Sequence, residues 1–133
     1  MNRTDLNAFA PRVLSILRMM AALLFIQHGT MKLFGFPMAG PGGVAAFPSM
    51  FFWVGLLELT GGLLILIGLF TRAAAFVLSG LMAVAYFMAH APKSIYPLNN
   101  QGELAILLCF TFFYFVFAGP GPWSIDAARS AED

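Results

Sequence analysis

Charge is scarce in this chain. Of its 133 residues only 10% are Asp, Glu, Lys or Arg, where a soluble domain carries about 25%. Seven basic residues against six acidic ones leave a net charge of +1. No basic stripe exists to neutralise phosphates, which excludes nucleic acid as a partner. Cysteine is almost absent: Cys109 stands alone and cannot form an internal disulfide, a C-x-x-C redox pair or a zinc cluster. His28 and His90 are the only histidines; with scattered carboxylates they make a poor metal-ligand set, and no metal is expected. The Gly40-Pro41-Gly42-Gly43 run lacks the Lys-Ser/Thr of a phosphate cradle and reads as a loop. What the chain has in abundance is apolar surface: 60% of it is hydrophobic and its mean hydropathy is +0.84. That excludes an ordinary soluble fold and a disordered chain, and leaves a small integral membrane protein of one domain.

A helix crosses a hydrocarbon core about 30 Å thick with about 20 mostly apolar residues. Four stretches qualify, at residues 13–34, 50–70, 73–91 and 103–119. They are too long and too continuously apolar for barrel strands, which alternate. The expected fold is therefore an all-α, integral membrane four-helix bundle. The Gly- and Pro-rich segment 35–49 and the polar segment 92–101 are expected as loops. Thr71-Arg72 is read as a tight connection that makes helices two and three an antiparallel hairpin. Gly119-Pro120-Gly121-Pro122 should end the fourth helix, since Gly caps it and Pro cannot continue it. Arg18 interrupts the first apolar run and no small-x-small cleavage site follows it, so the run is read as a span and not as a cleaved signal. Four spans place Arg3, Arg12, Arg18, Arg72 and Arg129 on one side and Lys32 and Lys93 on the other. Basic residues favour the cytoplasm, so both termini are expected there.

Ionisable side chains in the hydrocarbon are costly, and those present face the protein interior and mark function more often than not. Helix one carries His28 and Lys32, four apart on one face. In helix two Gly55, Glu58 and Gly62 are spaced i, i+3, i+7, so the carboxylate shares a face with the small residues through which membrane helices approach closely. Helix three ends at His90, and helix four begins at Glu103 after Asn99 and Asn100. With the expected orientation all these groups fall in the outer half of the bundle. A single polar pocket made of His28, Lys32, Glu58, His90, Asn99, Asn100 and Glu103 is therefore expected. Blander accounts exist for several members. Lys32 could snorkel to the headgroups, Glu103 and His90 could answer helix dipoles, and a Glu58 pair with Lys32 or His28 could serve only to hold helices one and two together.

These residues also form a recognisable series: Arg18 with His28-Gly29 and Lys32; Gly55, Glu58, Gly61 and Gly62; Gly68-Leu69 with Thr71-Arg72; Asn99 with Gly102-Glu103; and Gly119-Pro120-Gly121 with Ser124 and Asp126. In that order they resemble the DoxX family of small four-helix membrane proteins. The resemblance spans residues 12–126. It implies a multi-pass protein of the bacterial inner membrane, coupled to quinone or sulfur redox chemistry, since the family's name is linked to a subunit of an archaeal thiosulfate:quinone oxidoreductase. It also suggests an Arg72–Asp126 pair tying the C-terminal segment to the helix hairpin. The chain has no C-x-x-C, flavin fingerprint or cluster ligands, so no intrinsic cofactor is expected; a quinone or a redox partner subunit would supply the electron chemistry. The bilayer is the obligatory partner, and the Gly/Ala faces admit a homo-oligomer. Two other function classes compete: transport of a small solute or proton, and a structural or assembly subunit without catalysis. The first is disfavoured by the lack of polar residues between Glu58 and the inner side.

Overall fold

The computed structural model describes residues 3–132, and all regular structure among them is helical. In chain order the elements are α1 (Arg3–Phe34), α2 (Met50–Ile67), α3 (Thr71–Ala85), running on as a π-helical turn (Tyr86–His90), α4 (Pro97–Asn100), α5 (Glu103–Ala118) and α6 (Ile125–Ser130). The chain forms two compact units. One comprises the residues up to Phe70 together with those from Pro120 onward; the other is Thr71–Gly119.

The first unit is an antiparallel pairing of α1 and α2. Position 29 of α1 lies against 55 and 59 of α2, 25–26 against 62, and 18 against 65–66, so one number falls as the other rises. The crossing is close because it is built on glycine. A Cβ at Gly29 would stand 2.7 Å from the Leu59 nitrogen and 2.9 Å from the Gly55 oxygen. On α2 the buried residues are Gly55, Glu58, Gly62 and Ile65, a single stripe at helical spacing. The second unit pairs α3 with α5 in the same antiparallel sense: Arg72 meets 116–117, Ser79 meets Cys109, and His90 meets Asn100.

Three helical stretches are long and apolar enough to cross a membrane: Asp5–Phe34, Met50–Ile67 and Thr71–His90. Glu103–Ala118 is equally apolar but, at 16 residues, shorter. Less than a third of each long stretch is buried inside the protein. The outward side chains are mostly Leu, Phe, Val, Ile and Met, a surface suited to hydrocarbon and not to water.

Helix ends differ from the hydropathy reading. α1 starts at Arg3, ten residues before the apolar window, and runs through Pro11; its first turns carry Leu6 and Phe9, with the Arg12 guanidinium 5.6 Å from the Phe9 ring centre. At about 1.5 Å per residue its 32 residues extend roughly 48 Å, well past the hydrocarbon. The expected break at Thr71-Arg72 falls at 68–70 instead. Gly68 adopts φ 69°, ψ 44° and returns the Gly68 and Leu69 N–H groups to the Ile65 and Leu64 carbonyls, a left-handed helix stop open to glycine. Thr71 and Arg72 then form the first turn of α3.

Candidate functional site

In the first unit the face of α1 that meets α2 carries Lys32 one turn beyond His28. Lys32 Nζ donates to both oxygens of Glu58, at 2.7 and 2.9 Å. Gly55 makes this possible: a Cβ there would sit 3.0 Å from Lys32 Cβ, so a larger residue would push the lysine stem away. The Glu58 side chain is 4% exposed and that of Lys32 19%. The carboxylate is thus enclosed, while the lysine side chain keeps part of its surface exposed. His28 is half-buried and makes no hydrogen bond to any described residue. The three residues present an ammonium donor, a carboxylate acceptor and an uncommitted imidazole, a set able to bind a small polar head group and exchange protons with it.

In the second unit Asn100 is the centre of a closed network. It has no exposed surface. Its amide donates to Ser94 O at 2.8 Å and to the Tyr86 hydroxyl at 3.2 Å, and its Oδ1 accepts from Gly102 N at 2.8 Å. Its backbone carbonyl faces His90 Nδ1 at 2.9 Å. A carbonyl only accepts, so Nδ1 carries the hydrogen. The π-helical turn stacks the Tyr86 and His90 rings (centres 6.3 Å apart, planes 19° apart). Gly102 is required where it stands, since a Cβ would lie 2.5 Å from Tyr86 Cε2. Asn99 and Glu103 are exposed.

The structure thus joins Lys32 to Glu58 in one unit and His90 to Asn100 in the other. Gly55 and Gly62 line the α1–α2 crossing, where a Cβ on Gly62 would meet Ile26 at 2.7 Å. Arg72 donates to the Val116 and Phe117 carbonyls at the end of α5, and Asp126 Oδ1 accepts from Phe70 N at 2.9 Å.

Sequence reasoning placed Arg18 on a side of the membrane and in the family's motif series but gave it no partner. It is 1% exposed, and its guanidinium donates to the carbonyls of Ile65, Leu66, Pro120 and Trp123. The last turn of α2 leaves carbonyls short of helical donors; a planar fork of five donors reaches Leu66 O, adds a second donor to Ile65 O beside the Gly68 N–H, and takes two more carbonyls on the C-terminal segment. Ser15, also buried, completes the joint by accepting from Trp123 N at 3.2 Å. Arg72 repeats the device in the second unit, where a Cβ at Gly119 would stand 2.9 Å from its Nη2. The available signal was the Gly-Pro-Gly of 119–121, whose open backbone suits the close approach of an arginine. Tyr86, four residues before His90, was also missed.

An all-helical protein with long apolar spans and an ion pair enclosed between two of them is a polytopic membrane protein with a polar interior site. The chain belongs to the DoxX family, whose sequence model matches residues 13–91. It is 42% identical over 126 residues to an uncharacterized protein of Haemophilus influenzae, covering 92% of this chain and 94% of that one. It is 29% identical over 150 residues to the uncharacterized membrane protein Rv3486 of Mycobacterium tuberculosis, covering 94% and 86%. No solved structure matches the chain.

Proposed function

We propose that this protein is a quinone-interacting, accessory subunit of a redox system in the bacterial inner membrane, with both termini cytoplasmic. The observation that carries the reading is the Lys32–Glu58 pair between α1 and α2, with the Glu58 side chain 4% exposed and that of Lys32 19%, and His28 uncommitted beside Lys32 on the same helix. The donor set fits a quinone head group. Lys32 can donate to a carbonyl oxygen, Glu58 can accept from a hydroxyl, and His28 can take or return the proton. A bound quinone would supply the two-electron couple that this chain's own residues lack, with electrons passing to a partner subunit. Lys32 holds Glu58 in place and balances its charge, so the pair is ready for a neutral ligand without leaving a bare ion in the hydrocarbon.

The test is extraction of protein purified in mild detergent. Quinone should co-purify with the wild type and be lost from His28→Ala and from the Lys32→Met/Glu58→Met double variant while both stay folded. Wild-type protein free of quinone, together with normal quinone-linked respiration in a strain lacking the gene, would end the reading. The two-oxygen grip of Lys32 on Glu58 favours a second reading, a lock between α1 and α2 with no ligand. That reading requires His28→Ala to be without effect on any activity.

A further inference from the structure

The segment between α1 and α2 is unlike a water-exposed loop. No charged residue occurs from 33 to 57. Phe36 is 67% exposed, Met38 70%, Val44 53% and Phe47 71%, and Phe47 continues into a cluster with Phe52 and Trp53 (ring centres 5.3 to 6.0 Å apart). The segment does not stand off the end of the helices. Ala45 N donates to Lys32 O at 2.7 Å, Phe36 N donates to Thr30 O, and the Thr30 hydroxyl donates to Phe36 O. A Cβ on Gly35 would lie 3.3 Å from Val44 Cγ2, and one on Gly40 would lie 3.8 Å from Met31 Cε. Residues 40–45 therefore fold back along α1 to the level of Met31 and Lys32, and Lys32 is level with Gly55, beyond the first turn of α2.

An uncharged, Phe- and Met-rich segment packed on the last turn of a membrane helix has hydrocarbon as its matching surroundings. An aromatic cluster containing Trp is the kind of anchor found at the headgroup boundary. We propose that residues 35–53 form a bilayer-inserted flap, and that the Lys32–Glu58 site next to it receives its ligand from the lipid phase, so that the ligand class is a tailed, lipid-soluble amphiphile. The ligand clause rests on the functional reading above; the flap does not. The covering agent is lipid: the exposed side chains of the segment, Phe36, Met38, Val44 and Phe47, are of the same apolar kind as Leu23, Leu24, Phe34 and Leu57, exposed on α1 and α2.

The experiment is depth measurement by spin labels in the full chain, reconstituted into phosphatidylethanolamine–phosphatidylglycerol vesicles. Single cysteines replace Met38 or Val44 in a Cys109→Ala background, with Glu132→Cys as the aqueous reference. The labels at 38 and 44 should collide more often with oxygen than with a water-soluble nickel chelate, and the label at 132 the reverse. Chelate-dominated collisions at 38 and 44 would overturn the flap. Low collision with both reagents would mean that a second copy of the chain covers the segment, which also overturns it. Quinone content of the same vesicles separates the two readings. Lipid-exposed labels in quinone-free protein support the flap and overturn the ligand clause; chelate-exposed labels in quinone-loaded protein overturn the flap and leave the site.

Discussion

Lys32 Nζ lies within hydrogen-bond distance of both oxygens of Glu58, across an α1–α2 crossing that is closed to a Cβ by backbone at position 29 and tight against the Lys32 and Leu33 side chains at position 55. The pair is a charge balance as well as a site. Glu58→Gln leaves an ammonium facing an amide, and Lys32→Met leaves a carboxylate that is 4% exposed in the wild type. Removing one partner of such a pair costs about 3–5 kcal/mol, whereas replacing both with apolar residues of similar volume is often neutral. Each single variant should therefore melt at a lower temperature than the Lys32→Met/Glu58→Met double variant, measured in one detergent by intrinsic fluorescence. A double variant less stable than either single one would show that the two charges are not each other's main partner. Loss of bound quinone in the stable double variant would assign the charges to ligand binding.

The Arg18 joint predicts a sharper loss. Arg18→Lys keeps the charge but replaces a planar five-donor fork with a single point of donors, which cannot reach Ile65, Leu66, Pro120 and Trp123 together. Each buried carbonyl left without a donor costs about 1–3 kcal/mol. Deleting the chain from Pro120 onward removes two of the four acceptors and strands the guanidinium. Both changes should reduce the folded fraction on size-exclusion chromatography far more than Arg129→Lys, whose guanidinium only stands over the exposed Phe70 ring. Equal recovery of Arg18→Lys and Arg129→Lys would refute the clamp.

Arg18 and Glu58 also show what was readable in the sequence and what was not. The burial of Glu58 followed from its spacing to Gly55 and Gly62, because helical period and residue size alone fix a shared face. Its choice of partner did not follow, since Lys32 and His28 lie one turn apart and either could have reached it. Hydropathy located the hydrocarbon windows but not the helix ends. α1 begins ten residues early because helical hydrogen bonding continues outside the membrane, where hydropathy carries no signal. α2 stops at Gly68 because a backbone conformation ends it, while the apolar run continues. Arg18 could not be read as a clamp from its own surroundings: its acceptors are backbone carbonyls, and the one signal, Gly119-Pro120-Gly121, lies about a hundred residues away in the sequence. Membership in the family was legible because its motifs mark these same glycines, arginines and the Glu–Lys pair.

Glycines of two kinds give a paired prediction. At Gly29 a methyl group would collide with backbone on α2, 2.7 Å from one atom and 2.9 Å from another, and neither can yield without separating the helices. Overpacking of this sort costs about 1–3 kcal/mol. At Gly80, in α3, a methyl would meet nothing within 4 Å, and alanine in a helix interior gains up to about 1 kcal/mol over glycine. Gly29→Ala should lower the melting temperature by several degrees and Gly80→Ala should hold or raise it. A Gly29→Ala variant that holds or raises the melting temperature would mean that the α1–α2 crossing is looser than these distances imply, and a destabilised Gly80→Ala would mean that position 80 is not open.

Asn100 is tied to three groups by its side chain and to His90 only by its backbone carbonyl. The two functions should therefore separate. Asn100→Ala takes the side-chain partner from the Ser94 carbonyl and the Tyr86 hydroxyl, at about 1–3 kcal/mol for each group that water cannot reach, and leaves the Gly102 N–H only its longer bond to the Pro97 carbonyl. It leaves the acceptor of His90 in place. Nitrogen NMR on histidine-labelled protein should show hydrogen on Nδ1 of His90 in the wild type and in Asn100→Ala alike, while the variant unfolds at a lower temperature. A neutral ring with its hydrogen on Nε2 would break the link to the Asn100 carbonyl. Retained Nδ1–H with unchanged stability would instead show that the amide network adds nothing to the fold, leaving the packing of Tyr86 on Gly102 to hold the π-helical turn.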